Sequence, residues 1–161
     1  MLGSGSSNPV TTSQLPPAVS ADEHVLVMPV LRILPGKPES AATARAMARQ
    51  LLGDDHPAAD TVMLVVSELV TNAVMHSRSG APGGTVTVAL CPGSSGVLIQ
   101  VRDNGGSSEP HMAATPETPA EHGYGLLLVS ALADCWGTVA STDGRVTWCR
   151  VGGDQLGRRD G

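Results

Sequence analysis

The chain contains almost no aromatic residues. Its 161 residues include no Phe, one Tyr and two Trp, although 41% of the residues are hydrophobic. Proteins that hold single-stranded nucleic acid stack the bases on aromatic side chains, so the composition argues against this class. The core must instead be packed with Val, Leu, Ala and Met, and the length suits one domain.

Basic runs, long apolar runs and metal-type cysteine motifs are also missing. The formal net charge is −5 and no basic run is present, so we expect no nucleic-acid partner. No segment approaches the ~20 apolar residues of a membrane span, and the N-terminus lacks the pattern of a signal peptide. Three cysteines without metal-ligand spacing favour a reducing, cytoplasmic compartment. Because no segment is apolar enough to span a bilayer, we also expect no membrane partner.

The sequence pattern predicts one ordered domain between two polar ends. Residues 1–22 are predicted to be disordered, residues 23–152 form the domain, and residues 153–161 are a tail. Within the domain we predict strands at 24–34, 85–91, 96–103, 137–142 and 145–151, helices at 39–52, 58–76 and 125–136, and a loop at 104–122. This order predicts an α/β (α+β) two-layer sandwich, with a mixed, mostly antiparallel sheet covered by helices on one face.

Two polar side chains interrupt the apolar pattern of the second predicted helix. Glu68 and Asn72 are four residues apart, so they share one face of the helix. An amide oxygen there can ligate magnesium, and a carboxylate beside it can take a proton from an attacking hydroxyl group. The pair taken alone is equally consistent with solvated polar residues on a helix surface.

Asp103 ends a predicted strand and is followed by a glycine-rich turn that includes Gly105. A buried carboxylate at this point can accept a hydrogen bond from the amine of adenine. Guanine presents a carbonyl group there instead, which costs about 1–3 kcal/mol per unpaired group. Gly105 would let the backbone approach the base, and Thr147 in the last strand could join Asp103. Taken alone, an Asx–Gly turn and a β-branched strand residue are the simpler interpretations.

The third predicted helix begins with Gly123, Tyr124, Gly125 and Leu126. Backbone amides at a helix start bind phosphate oxygens, and the helix dipole adds to the attraction. The sequence has no Gly-Lys-Ser/Thr phosphate loop, and a loop rather than a strand precedes the glycines. This pattern therefore differs from both the P-loop and the dinucleotide-binding motif.

The succession ELVTNAVMH, VRDNGG, GYGLLLV and RVTW resembles the GHKL superfamily of ATPases. It looks closest to the bacterial anti-sigma factor serine/threonine-protein kinases, and the resemblance covers roughly residues 30–152. It implies a Bergerat-type ATP-binding fold with ATP and magnesium as ligands. The roles that it implies are a general base at Glu68, a magnesium ligand at Asn72, adenine contacts at Asp103, Gly105 and Thr147, and a phosphate cradle at Gly123, Tyr124, Gly125 and Leu126.

The resemblance also implies protein partners. Relatives of this branch bind a sigma factor and phosphorylate a serine of an anti-sigma-factor antagonist, and a homodimer is compatible with the resemblance. Two alternatives stay open: a non-catalytic partner-switch module that holds ATP as a structural ligand, and a detached histidine-kinase catalytic domain. Tyr124 stands where many relatives carry Arg, so one γ-phosphate contact is either missing or supplied by another cation. The nearest cationic residues to the loop are Arg78 and Arg102.

Overall fold

The computed structural model describes residues 28–106 and 124–152. Its elements are β1 (Val30–Pro35), α1 (Ser40–Leu52), α2 (Ala59–His76), a short 3₁₀ helix (Arg78–Gly80), β2 (Thr85–Gly93), β3 (Gly96–Asp103), α3 (Tyr124–Leu132), β4 (Cys135–Ser141) and β5 (Gly144–Val151). The predictions for both chain ends and for most of the loop at 104–122 lie outside the described residues.

The strands form one five-stranded sheet in the order β1-β2-β3-β5-β4. Every pairing in the described part of the chain is antiparallel. The predicted two-layer fold is confirmed, but the prediction of a mixed sheet is wrong for these strands. Two helices separate β1 from β2, so the chain returns reversed and the two strands pair antiparallel. β3 and β4 run in the same direction, but β5 lies between them.

Helix α2 lies at the centre of the layer that covers the sheet. Nine of its 18 residues are buried, among them Val62, Val66 and Val70. The alternate residues Val86, Val88 and Leu90 of β2 are also buried, as expected for a strand with one covered face. Each buried valine or leucine contributes about 1.5–3 kcal/mol relative to an exposed one. This packing fixes α2, and with it Glu68 and Asn72, against the sheet.

Two element boundaries differ by more than two residues from the sequence-based prediction. The third helix ends at Leu132, and Cys135 and Trp136 begin β4 instead of extending the helix. The backbone N–H of Asp134 donates to the Arg150 carbonyl, so the chain has already joined the sheet there. An apolar run continues through both elements, so hydrophobicity does not mark this change. β1 begins only at Val30, after Pro29.

No helix in the described part of the chain is long and apolar enough to span a membrane.

Candidate functional site

One end of the candidate site lies where α3 crosses α2. A Cβ atom on Gly125 would lie 3.0 Å from Glu68 Oε2 and 4.0 Å from Asn72 Oδ1. Any larger residue at position 125 would therefore press on both polar groups. The structure brings Glu68, Asn72 and the start of α3 together.

The oxygens of Glu68 and Asn72 have no partner within residues 28–106 and 124–152. Both side chains are half-buried, and neither forms a hydrogen bond or an ion pair with a described residue. Those residues also contain no group of three or more His, Cys, Asp or Glu that would hold a metal by itself. Magnesium commonly takes one or two protein oxygens and completes its shell with phosphates and water. An amide oxygen at Asn72 fits that kind of site.

The start of α3 supplies backbone amides to the same place. The described helix begins at Tyr124 and has nine residues, and its first amides carry the positive end of the helix dipole. The side chain of Leu126 is 3% exposed and lies in the hydrophobic core, so only its backbone faces the site. Gly123 and the side chain of Tyr124 lie outside the described residues.

The other end of the site is built around Asp103. The carboxylate is 7% exposed and lies on the helix-covered face of the sheet, because Asp103 alternates with buried Val101 along β3. Its Oδ1 accepts a hydrogen bond of 2.6 Å from the Gly105 N–H. Burial raises the pKa of Asp103, while hydrogen bonds from the Gly105 and Arg145 backbone and the charge of Arg145 act in the opposite direction.

A hydrogen-bonded clamp joins the 3₁₀ helix to the end of β3. The Asn104 N–H donates to Ser79 Oγ over 2.9 Å, and Asn104 Oδ1 accepts from the Thr85 N–H over 2.8 Å. Ser79 is completely buried, and the Arg78 N–H donates to the Gly105 carbonyl over 2.7 Å. These bonds fix the loop that follows Asp103.

Gly105 occupies a position where only glycine fits easily. Its φ angle is 71°, in the left-handed region that side chains disfavour. A Cβ atom there would lie 3.3 Å from Gly144 Cα and 3.6 Å from Arg78 Nη2. The loop beside Asp103 therefore turns at a residue that has no side chain.

Thr147 lies on the same sheet face as Asp103. It pairs with Val101 of β3 and with Thr138 of β4, while Arg145 is the residue opposite Asp103. Thr147 is therefore one diagonal position away from the carboxylate. Its side chain is half-buried, and its contact with adenine stays a prediction.

The sequence analysis missed the clamp of Ser79 and Asn104. The sequence contains only a weak indication of this clamp, the serines at 77 and 79 directly after helix α2. The Ser77 hydroxyl donates to the Ala73 carbonyl and accepts from the Ser79 N–H, which ends α2 and turns Ser79 inwards. The partner of Ser79 is 25 residues away, so no local pattern reveals it.

A family model for the histidine kinase-like ATPase domain matches residues 34–150. The chain belongs to this family. The match includes every described residue of the site, from α2 through the end of β3 to β5. No curated protein matches the sequence.

The fold of this histidine kinase-like ATPase domain is also similar to a solved structure. That structure contains the RsbU and RsbW domains of Rv1364c from Mycobacterium tuberculosis. The TM-score is 0.57 and the sequence identity is 24%. The likeness covers 77% of this chain and 32% of the other chain, so this chain spans about a third of that protein's length.

Proposed function

We propose that this domain binds ATP between α2, α3 and the end of β3, and that it is a serine/threonine-protein kinase acting on an anti-sigma-factor antagonist. The observation that carries the proposal is the convergence of Glu68 Oε2 and Asn72 Oδ1 on Gly125 at the start of α3. Membership of the histidine kinase-like ATPase family supports ATP as the ligand.

Asp103 is the residue proposed to select adenine. Its buried carboxylate would accept a hydrogen bond from the exocyclic amine of the base, with Gly105 and Thr147 beside it. Guanine would place a carbonyl oxygen against the carboxylate and leave two acceptors unpaired. ATP should therefore bind more tightly than GTP.

The phosphates are proposed to lie at the start of α3. The backbone amides of Gly123, Tyr124, Gly125 and Leu126 would face phosphate oxygens there. Asn72 would hold a magnesium ion together with those oxygens, and the bound ion would neutralise phosphate charge. Glu68 would remain free for proton transfer because the amide, not the carboxylate, is the proposed ligand.

Glu68 is the proposed general base of the transfer step. Its carboxylate would take the proton of a serine hydroxyl on the substrate protein, while the hydroxyl oxygen bonds to the γ-phosphorus. The bond between the γ-phosphorus and the β–γ bridging oxygen breaks, and ADP leaves with that electron pair. The products are phosphoserine and ADP.

The protein partners are proposed from the motif resemblance. An antagonist protein would present the serine, and a sigma factor would be the protein whose availability this exchange controls in the cytoplasm. A homodimer is compatible with this role.

The proposal is tested with the wild-type protein and Glu68→Gln. Calorimetric titration with ATP, ADP and GTP in magnesium measures binding, and transfer of labelled γ-phosphate to the antagonist measures catalysis. Loss of a general base typically lowers a rate about 10²- to 10⁴-fold, so transfer should fall by that factor while ATP affinity stays within about threefold. Asp60→Asn, an exposed acid on the same helix, is the matched control and should change neither quantity.

The alternatives give different results in the same experiment. Tight ATP binding without phosphate transfer to any protein would support the non-catalytic module. Transfer found only on histidine by phosphoamino-acid analysis would support the detached histidine-kinase domain. Unchanged transfer by Glu68→Gln would remove Glu68 from the catalytic role, and no nucleotide binding by the wild type would contradict the proposal as a whole.

A further inference from the structure

The backbone of Arg78 is anchored at the Asp103 end of the site. Its N–H donates to the Gly105 carbonyl over 2.7 Å, and the next residue, Ser79, accepts from the Asn104 N–H. Arg78 therefore holds a fixed place in the fold although its side chain is exposed. A long side chain on a fixed backbone samples a limited region around that point.

The guanidinium group of Arg78 lies over the backbone of Gly105. Its Nη2 is 3.6 Å from the place that a Cβ atom of Gly105 would take. Gly105 follows Asp103 by two residues and donates its N–H to that carboxylate. The cation thus lies beside the loop residue that is hydrogen-bonded to the group proposed to read the base.

No described residue pairs with this guanidinium. Within residues 28–106 and 124–152 it forms no ion pair and no hydrogen bond. A planar cation whose backbone is fixed and which has no carboxylate partner among the described residues is suited to an aromatic face.

We propose that Arg78 is a nucleotide-binding residue that contacts the purine base rather than the phosphate chain; this inference rests on the proposed function. The phosphate end of the site is at Glu68, which lies about 12 Å before the end of α2 by helix geometry. Arg78 comes after that end and is tied to the loop beyond Asp103. Its guanidinium is therefore placed to stack on the purine.

The test compares AMP, ADP and ATP in magnesium by calorimetric titration of the full chain. Arg78→Gln should weaken the binding of all three nucleotides by the same factor, about two- to fivefold, the range for an exposed contact between a cation and an aromatic ring. Arg78→Lys keeps the charge but loses the planar group, so it should lie between the wild type and Arg78→Gln. Arg102→Gln is the matched control: Arg102 is exposed on the opposite face of the sheet, and its removal should leave all three affinities unchanged.

The outcomes separate this inference from the proposed function. An affinity loss that grows from AMP to ATP would assign Arg78 to the phosphates and overturn the base contact. Unchanged affinities for all three nucleotides would overturn any role for Arg78 in binding. If the wild type binds no nucleotide, the proposed function fails together with the inference. Thermal unfolding of each variant checks that the exposed substitution leaves the fold intact.

Discussion

The two ends of the candidate site are built in opposite ways. At the Asp103 end, Asp103, Asn104 and Ser79 already hydrogen-bond to the protein, and the loop is locked to the 3₁₀ helix. At the α3 end, the oxygens of Glu68 and Asn72 have no described protein partner. There, close packing against Gly125 positions the groups.

This difference matches two different tasks. Recognition of a base needs a rigid arrangement of donors and acceptors, because its selectivity comes from leaving a wrong base unpaired. Phosphoryl transfer needs oxygens that are free to take a proton or a metal ion when the substrate arrives. We therefore expect substitutions at the two ends to separate base selectivity from phosphate binding.

The largest effect is expected from Gly125→Val at the α3 end. A branched side chain would fill the space in front of Glu68 and Asn72, since even a Cβ atom would lie 3.0 Å from Glu68 Oε2. Loss of about two charge-assisted hydrogen bonds, at about 1.5–3 kcal/mol each, should weaken ATP binding roughly 100-fold or more. The affinity for AMP should fall much less. Calorimetric titration with ATP and with AMP measures the difference between the two losses of affinity.

Gly93→Val is the matched control for this substitution. Gly93 is exposed at the end of β2, where an added Cβ atom would meet only the Gly96 carbonyl at 3.7 Å. The Gly93→Val variant should bind ATP and AMP with the same affinities as the wild type. If Gly125→Val lowered the affinities for AMP and ATP by the same factor, the two ends of the site would not bind base and phosphates independently.

At the other end, Asp103→Asn should change selectivity rather than affinity for phosphates. The amide would place its NH₂ group where the carboxylate accepted a hydrogen bond, so the amine of adenine would face a donor and the carbonyl of guanine would gain one. The preference for ATP over GTP should fall about tenfold or reverse. Competition between ATP and GTP for the site measures this preference. Asp143 is an exposed acid in the β4–β5 turn, so Asp143→Asn serves as the control and should leave the preference unchanged.

The α3 end was the easier one to predict from the sequence. Glu68 and Asn72 stand out because they are polar residues on a long apolar helix, and α2 was predicted to within one residue of its observed start. The pattern is local and repeats over 18 residues, so the helix period determines which residues share a face. The approach of these two side chains to Gly125 depends on tertiary packing, and from the sequence it could be expected only through the family resemblance.

Most of the Asp103 end depends on contacts between distant segments. Asp103 was predicted because it ends an alternating strand, but Ser79 and Asn104 meet across 25 residues. The position of Arg78 over Gly105 depends on the same tertiary contact. The end of α3 was predicted wrongly for a related reason: its apolar run continues into β4, and the sheet hydrogen bond of Asp134 ends the helix.

A smaller effect tests the rigidity of the clamp. Ser79→Ala would leave the half-buried Asn104 N–H without its acceptor at the completely buried Ser79, which should lower the free energy of unfolding by about 1–3 kcal/mol. Denaturant titration measures the loss. Ser141→Ala removes a hydroxyl that donates to the Gly144 carbonyl at an exposed position, so its effect should stay within about 0.5 kcal/mol. Equal effects of the two variants would argue against a special role for the clamp.

The smallest effect is a pH dependence of stability at Asp103. Burial raises the pKa of this group, so the native protein holds the proton more tightly than the unfolded chain does. Ionisation therefore lowers the free energy of unfolding. The loss is absent below the ordinary aspartate pKa of about 3.9, grows as the pH rises towards the raised pKa, and is constant above it.

Asp103→Asn lacks this titration, so it provides the direct comparison. The difference in Tm between the variant and the wild type should shift in favour of the variant as the pH rises above the ordinary aspartate pKa of about 3.9, and it should level off above the raised pKa. A difference that is independent of pH would show that the carboxylate is no harder to ionise in the folded protein. If the shift is found, the ionised carboxylate of Asp103 lowers the stability of the folded protein. A group that costs stability in this way is expected to bind a ligand rather than to stabilise the fold.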